Sequence, residues 1–189
     1  MLDENAKFEN QTKYLELLSR LNTDLTEFSK YLDSVQYFDK PATAQYHFAY
    51  AGGLCEQAIR FCRELGMLCE AYYPGRYTEE DILKVGLFKE LYRAEMYELS
   101  SKNVKNEVTG QWETVPYYRT RENRPTFGDL GFSSYMIAKR YFSFTDEQIE
   151  AIMHSTGLNN YSVDIHDVLK TYPLVTLTKM ADLVVNYML

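Results

Sequence analysis

The chain has 189 residues, enough for one domain with a real core. Hydrophobic residues make up 46% and charged residues 25%, the balance of an ordinary globular protein, and 17 tyrosines and 10 phenylalanines add packing area. The 27 acids against 20 bases give a net charge of -7, which excludes broad electrostatic binding to nucleic acid and leaves room only for a local basic pocket.

No apolar run approaches the roughly 18 residues that span a bilayer. The opening MLDENAKFENQTK is too polar and acidic for a signal peptide, so no membrane association and a cytoplasmic location are expected. Tyr14, Leu18, Leu21, Leu25, Phe28, Leu32 and Val35 recur every three or four residues, which predicts one long first helix over about 12–36. Asp39-Lys40-Pro41 ends it. PATAQYHFAYAGG then predicts an ordered loop, with Gly52 and Gly53 permitting a close approach to the next helix. That second helix is predicted from about Leu54 to Tyr72, where Pro74-Gly75 breaks it. Its cysteines, Cys55, Cys62 and Cys69, share a face, but neighbours lie about 10 Å apart along the axis. That is too far for a disulfide or a shared metal, so they are expected to be small buried hydrophobes. Thr78 caps a third helix, with Glu79, Glu80 and Asp81 in the first turn, where the dipole favours acids. Ile82, Val85, Leu87 and Phe88 carry it toward Leu91.

The period then changes. ELSSKNVKNEVTGQWETVPYYRTR alternates around Thr109-Gly110, which predicts a β-hairpin with arms near 98–106 and 112–119. Helices resume over about 131–142, from a Thr145–Gln148 capping box, and from about Pro173 to Met188. The expectation is a single mainly α domain over 1–189 with one inserted hairpin.

Five segments, YLDSVQYFDKPATAQYHFAYAGGLCEQAIRF, VGLFKELYRAEMYE, GQWETVPYY, FTDEQIEAIMHSTG and YPLVTLTKMADLVVNYM, resemble in order and spacing a phage-borne branch of the HD-domain phosphohydrolases. The resemblance runs from about Leu32 to the C-terminus and implies an HD-like helical bundle. Members of that family hold one or two divalent metals on histidines, a His-Asp pair and a late aspartate, and use them to activate water against a phosphoester. Position by position, the histidines fall here on Gln57, near Leu130, on Ser155 (with His154 one place early) and on Lys179. The His-Asp pair falls on Lys89 and Glu90, and only the late aspartate is kept, as Asp182.

Chemically this dismantles a metal centre. Glutamine is a poor neutral ligand, leucine is none, and lysine places a positive charge where the cation would sit. Glu90 and Asp182, with water, would hold Mg²⁺ only weakly. No catalytic residue, metal or cofactor is therefore expected. No Gly-rich phosphate loop, Ser-His-Asp set or Cys-His nucleophile supplies another plan.

The candidate ligand-binding set is Lys89, Arg93, Gln57, Glu90, Asp182 and His47. Lys89 has two readings: it binds a ligand phosphate, or it neutralises Glu90 and Asp182 and plugs the cavity. Arg93 follows Lys89 by four, which on one helix would make a cationic patch. His47, in the segment that lies beside the pocket in the family, either donates to a ligand or fixes its loop. Trp112, Tyr117 and Tyr118 either pack the hairpin on the helices or form a recognition surface.

Three classes of function follow. The first is a catalytically inactive HD-like protein whose former metal cleft binds a nucleotide or other phosphorylated ligand, in a phage setting sequestering a signalling nucleotide as counter-defence. The second is a protein-interaction module that inhibits a host factor. The third is a weak metal-dependent phosphohydrolase. An open cleft favours the first, a filled cleft with an exposed aromatic hairpin the second, and metal near Glu90 and Asp182 the third.

Overall fold

Asp3 opens the first helix by accepting a hydrogen bond from the Ala6 amide, and α1 runs Glu4–Ser19 in the computed structural model, which describes residues 3–123, 128–156 and 165–188. The stripe assigned to one helix over 12–36 is carried by two, because α2, Thr26–Ser34, is a separate element. The break has a local cause. Asn22 adopts φ 48° and the Asp24 carboxylate accepts from the Thr26 amide at 2.9 Å. Asn and Asp make such local bonds in competition with the helix, and Asn tolerates the left-handed region better than most residues. Tyr14, Leu18, Leu21, Phe28 and Leu32 nevertheless all reach the core.

A 3₁₀ turn, Tyr37–Asp39, leads into the ordered loop. There the Ala42 amide donates to the Phe48 carbonyl and the Leu54 amide to the Lys40 carbonyl, both at 3.0 Å. A Cβ on Gly53 would overlap that Phe48 carbonyl, so the close approach needs glycine. Next comes α3, Gly53–Tyr72, the central helix, which packs on α1 and on α4 (Glu79–Phe88) and α9 (Pro173–Tyr187). Thr78 and Asp81 form a full capping box at the start of α4. Gly86 marks the α3–α4 crossing, where a Cβ would run into the Cys62 sulfur.

After the short α5, Arg93–Met96, the hairpin pairs β1, Tyr97–Lys105, antiparallel with β2, Trp112–Thr120. Leu99 faces Tyr118 and Lys105 faces Trp112 across the ladder. At the base Tyr97 is buried and the Tyr118 hydroxyl donates to the Asp39 carbonyl at 3.1 Å, but Trp112, near the tip, is 70% exposed. Helices α6, Leu130–Ala138, α7, Asp146–Met153, and α8, Ile165–Thr171, follow. The helix assigned over 131–142 stops at Ala138, and Phe142 turns into the core instead. Phe28, Phe88 and Phe142 pack there with centroids 4.5–5.4 Å apart. Thr145 and Gln148 complete the second capping box. Among the described residues no helix is long and apolar enough to cross a membrane.

Candidate functional site

Lys89 is the residue after the last turn of α4, and its amide still donates to the Val85 carbonyl at 3.0 Å. Its side chain turns inward and is 2% exposed. The Nζ donates to Asp182 Oδ1 at 2.7 Å and to Glu90 Oε1 at 3.0 Å, and it sits 4.4 Å from the Phe61 ring centroid. Arg93 then reaches Glu90, with Nε 2.6 Å from Oε2, and its Nη1 donates to the Tyr97 hydroxyl at 3.3 Å. The result is an alternating chain of charge: Asp182, Lys89, Glu90, Arg93.

A buried ammonium alone would be costly, and it is tolerated here because two carboxylates and an aromatic face surround it. Burial favours the neutral amine of Lys89. The charges of Glu90 and Asp182 and the bonds they accept outweigh that, and its pKa ends above that of an ordinary lysine. Burial likewise pushes the Glu90 carboxyl up. The charges of Arg93 and Lys89 and their hydrogen bonds overcome it and hold the carboxyl well below its usual range.

Gln57 enters from α3, one turn before Phe61. Its Nε2 donates to Asn186 Oδ1 at 2.8 Å, and Asn186 lies one turn after Asp182 on α9. The space bordered by Gln57, Lys89 and Glu90 is about 10 Å³, room for one water at most. His47 stands at the edge of the cluster. Its backbone carbonyl accepts from Thr43 Oγ1 at 2.8 Å, and its ring meets Tyr187 of α9 edge-on at 5.7 Å. Burial lowers its pKa, and Glu90, Arg93, Asp182 and Lys89 all lie within electrostatic reach. Lys179, one turn before Asp182, donates to the Ser155 carbonyl at 2.8 Å, and burial lowers its pKa.

Gln57, Lys89, Glu90, Arg93 and Asp182 therefore meet in one cluster, with His47 at its rim. Contrary to the expectation from their spacing, Lys89 and Arg93 share no helical face, because α4 ends at Phe88 and α5 begins at Arg93. Instead both engage Glu90, Lys89 at Oε1 and Arg93 chiefly at Oε2. His154 is buried with Nε2 3.1 Å from Glu150 Oε2, one turn back on α7. The three cysteines are free and buried, and burial raises all three thiols, so they are poor nucleophiles. Among the described residues no group of three or more His, Cys, Asp or Glu is placed to hold a metal.

Phe61 and Asn186 were not expected from the sequence. The available signal was helical spacing: each follows a candidate residue, Gln57 or Asp182, by four and so shares its face.

The cluster sets a pH response. The folded-state pKa of Glu90 lies below its unfolded value, so its contribution is present above about pH 4.3 and is lost as pH falls through the folded value. That of Lys89 is raised, so its contribution is full below about pH 10.4 and is lost as pH rises through the folded value. Urea unfolding should show a plateau between these limits and an acid decline that is shallower in Glu90→Gln. Equal acid slopes in the two proteins would remove Glu90 from the account.

Fold and site together define a mainly helical protein with one antiparallel hairpin, built around a buried lysine–carboxylate cluster. Compared with known proteins, the chain matches no family model, no curated protein and no solved structure.

Proposed function

We propose that this chain is a non-catalytic HD-like protein in which the Lys89 ammonium stands where a hydrolase of that kind holds a divalent metal, and that it acts by binding. The observation that carries this reading is the pair of contacts from Lys89 Nζ to Asp182 and Glu90, at 2.7 and 3.0 Å. An ammonium held by two carboxylates satisfies their charge, so a metal would have to displace it against that attraction. With the ammonium in that place the cluster lacks the Lewis acid that activates water in such a hydrolase.

Of the two binding readings, the interior favours a protein partner. Lys89 and Arg93, the cations expected to meet a phosphate, are already engaged by carboxylates. A space of about 10 Å³ does not admit a phosphate. At the tip of the hairpin Val108 and Trp112 are 95% and 70% exposed, and exposed aromatic residues are enriched at recognition sites. In a phage setting that partner would be a host factor. A nucleotide at this cluster would have to bind at its rim, at Lys179 and His47.

Two measurements separate these readings. Melting curves with Mg²⁺ or Mn²⁺ and a panel of mono-, di- and cyclic nucleotides should show no stabilisation, and no phosphate should be released. Stabilisation that disappears in Lys179→Ala would restore the nucleotide reading. In cells, a folded Val108→Asp/Trp112→Asp protein should lose a specific partner that the wild type retains, and a partner retained equally by both would exclude the hairpin.

A further inference from the structure

On the side of α3 turned away from Gln57, Arg63, Gly66, Met67 and Glu70 fall at i, i+3, i+4 and i+7 and therefore share one face. They line a groove of about 860 Å³ whose floor includes Leu17 of α1 and Ile82 of α4. Three features of this face go unused within the chain. Met67 is 53% exposed at the middle of the groove. Gly66 stands mid-helix, where glycine costs stability relative to alanine, yet a Cβ there would make only ordinary contacts with Ile82, at 3.8 and 3.9 Å. Glu70 has no ion pair among the described residues. The fold itself asks for none of the three.

The charges around the groove are bipolar. Lys13, Arg60 and Arg63 stand toward one end, where Glu56 neutralises Arg60 at 2.7 Å, and Glu70 and Glu79 toward the other, where Glu79 holds Arg20 at 2.8 Å, so the polarity is carried by Lys13 and Arg63 against Glu70. A patch with opposite charges at its two ends complements itself when turned by a two-fold rotation, as an isologous dimer requires. The numbering supplies the axis. The midpoint between Arg63 and Glu70 falls between Gly66 and Met67, the one residue pair that offers a hole beside a knob.

We propose that this face docks on a second copy of the chain, α3 against α3 in antiparallel, with the two-fold axis between Gly66 and Met67. Met67 then enters the hole at Gly66 of the partner subunit, and Arg63 meets Glu70 of the partner subunit. Symmetry makes each such contact twice. Arg63 is 62% exposed, and in the dimer its guanidinium is shared between that contact and Glu64, which it holds through Nε at 3.1 Å and Nη2 at 2.8 Å. This inference uses neither the lysine–carboxylate cluster nor the hairpin, and it stands or falls separately from them.

Sedimentation velocity across a concentration series tests it, with wild type, Arg63→Glu, Glu70→Arg and the double charge swap. Both residues are exposed, but Arg63→Glu also strips Glu64, 10% exposed, of its guanidinium, so the four proteins are compared in a Glu64→Gln background beside unmodified wild type, and circular dichroism checks that each folds. Wild type should dimerise. Each single reversal puts two like-charge contacts into the interface and should weaken dimerisation by about tenfold or more. The double swap should restore it to within about threefold, because the pairs are re-formed with opposite sense. A wild type that stays monomeric to its solubility limit overturns the proposal. So do single reversals without effect, or a double swap as weak as the singles, since those outcomes place any association on another face or with another protein.

Discussion

Lys89→Met is expected to destabilise the folded chain by about 3 kcal/mol. Removing one member of a buried charge pair typically costs about 3–5 kcal/mol, because the partner is left buried without compensation. Two features place this case near the lower end: Asp182 is 24% exposed and can rehydrate, and Glu90 keeps Arg93. The loss has a diagnostic pH dependence. With the ammonium gone, an acid in the cluster is eased by taking up a proton, so wild type and variant should converge in urea titrations as pH falls from 7 toward 4. Lys89→Met combined with Asp182→Asn should recover much of the stability, since it removes the stranded charge and keeps the volume. A loss of only about 0–1 kcal/mol, as for an exposed ion pair, would mean that Lys89 faces solvent and is available to a ligand.

The second large effect is expected at the helix crossing beneath the cluster. Gly86→Ala would ordinarily raise helix propensity by up to about 1 kcal/mol. Here the new methyl runs into the Cys62 sulfur and also lies 3.2 Å from the Cys62 Cα, which is backbone and cannot rotate away. Forcing a methyl into such a crossing costs about 3 kcal/mol, the upper end for overpacking, and this outweighs the propensity gain. Cys62→Ala in the same chain removes the sulfur but not the backbone contact, so it should recover part of the loss and not all of it. Thermal melts of wild type and the two variants check this. A Gly86→Ala protein as stable as wild type would show that α3 and α4 are not in close contact at this point. Lys89 lies three residues beyond Gly86, so the same shift of α4 should also disturb the ammonium's geometry.

These expectations rest on features of unequal legibility in the sequence. The cap at Thr78, the capping box at Thr145, the start of α9 at Pro173 and the hairpin arms are local, and their residues state the chemistry directly. The break between α1 and α2 was hidden because Leu21 and Leu25 continue the apolar period across it, and periodicity reports a face, not the continuity of the helix. Helix α8 has only seven residues, too few to show a period. Alternation placed Trp112 on a strand but could not say whether the body of the domain reaches it, and it does not. For the cluster, it was the resemblance alone, and no pattern within the chain, that implied one place for Gln57, Lys89, Glu90 and Asp182. Whether Lys89 opens to solvent or turns inward depends on Asp182, 93 residues away, and on the Phe61 ring beneath it, a long-range matter that no local pattern contains.

The central claim is that the Lys89 ammonium is itself the resident cation of this cluster. It is tested most directly by nitrogen-15 NMR of the lysine Nζ groups, with Lys89 assigned through Lys89→Met. The account predicts a slowly exchanging ammonium signal that stays protonated past about pH 10.4. Stoichiometric Mg²⁺ should leave it unshifted, and stoichiometric Mn²⁺ should leave it unbroadened. A Lys89 signal that titrates as a neutral amine near physiological pH, or one that Mn²⁺ broadens away while Glu90 and Asp182 take the metal, would contradict it.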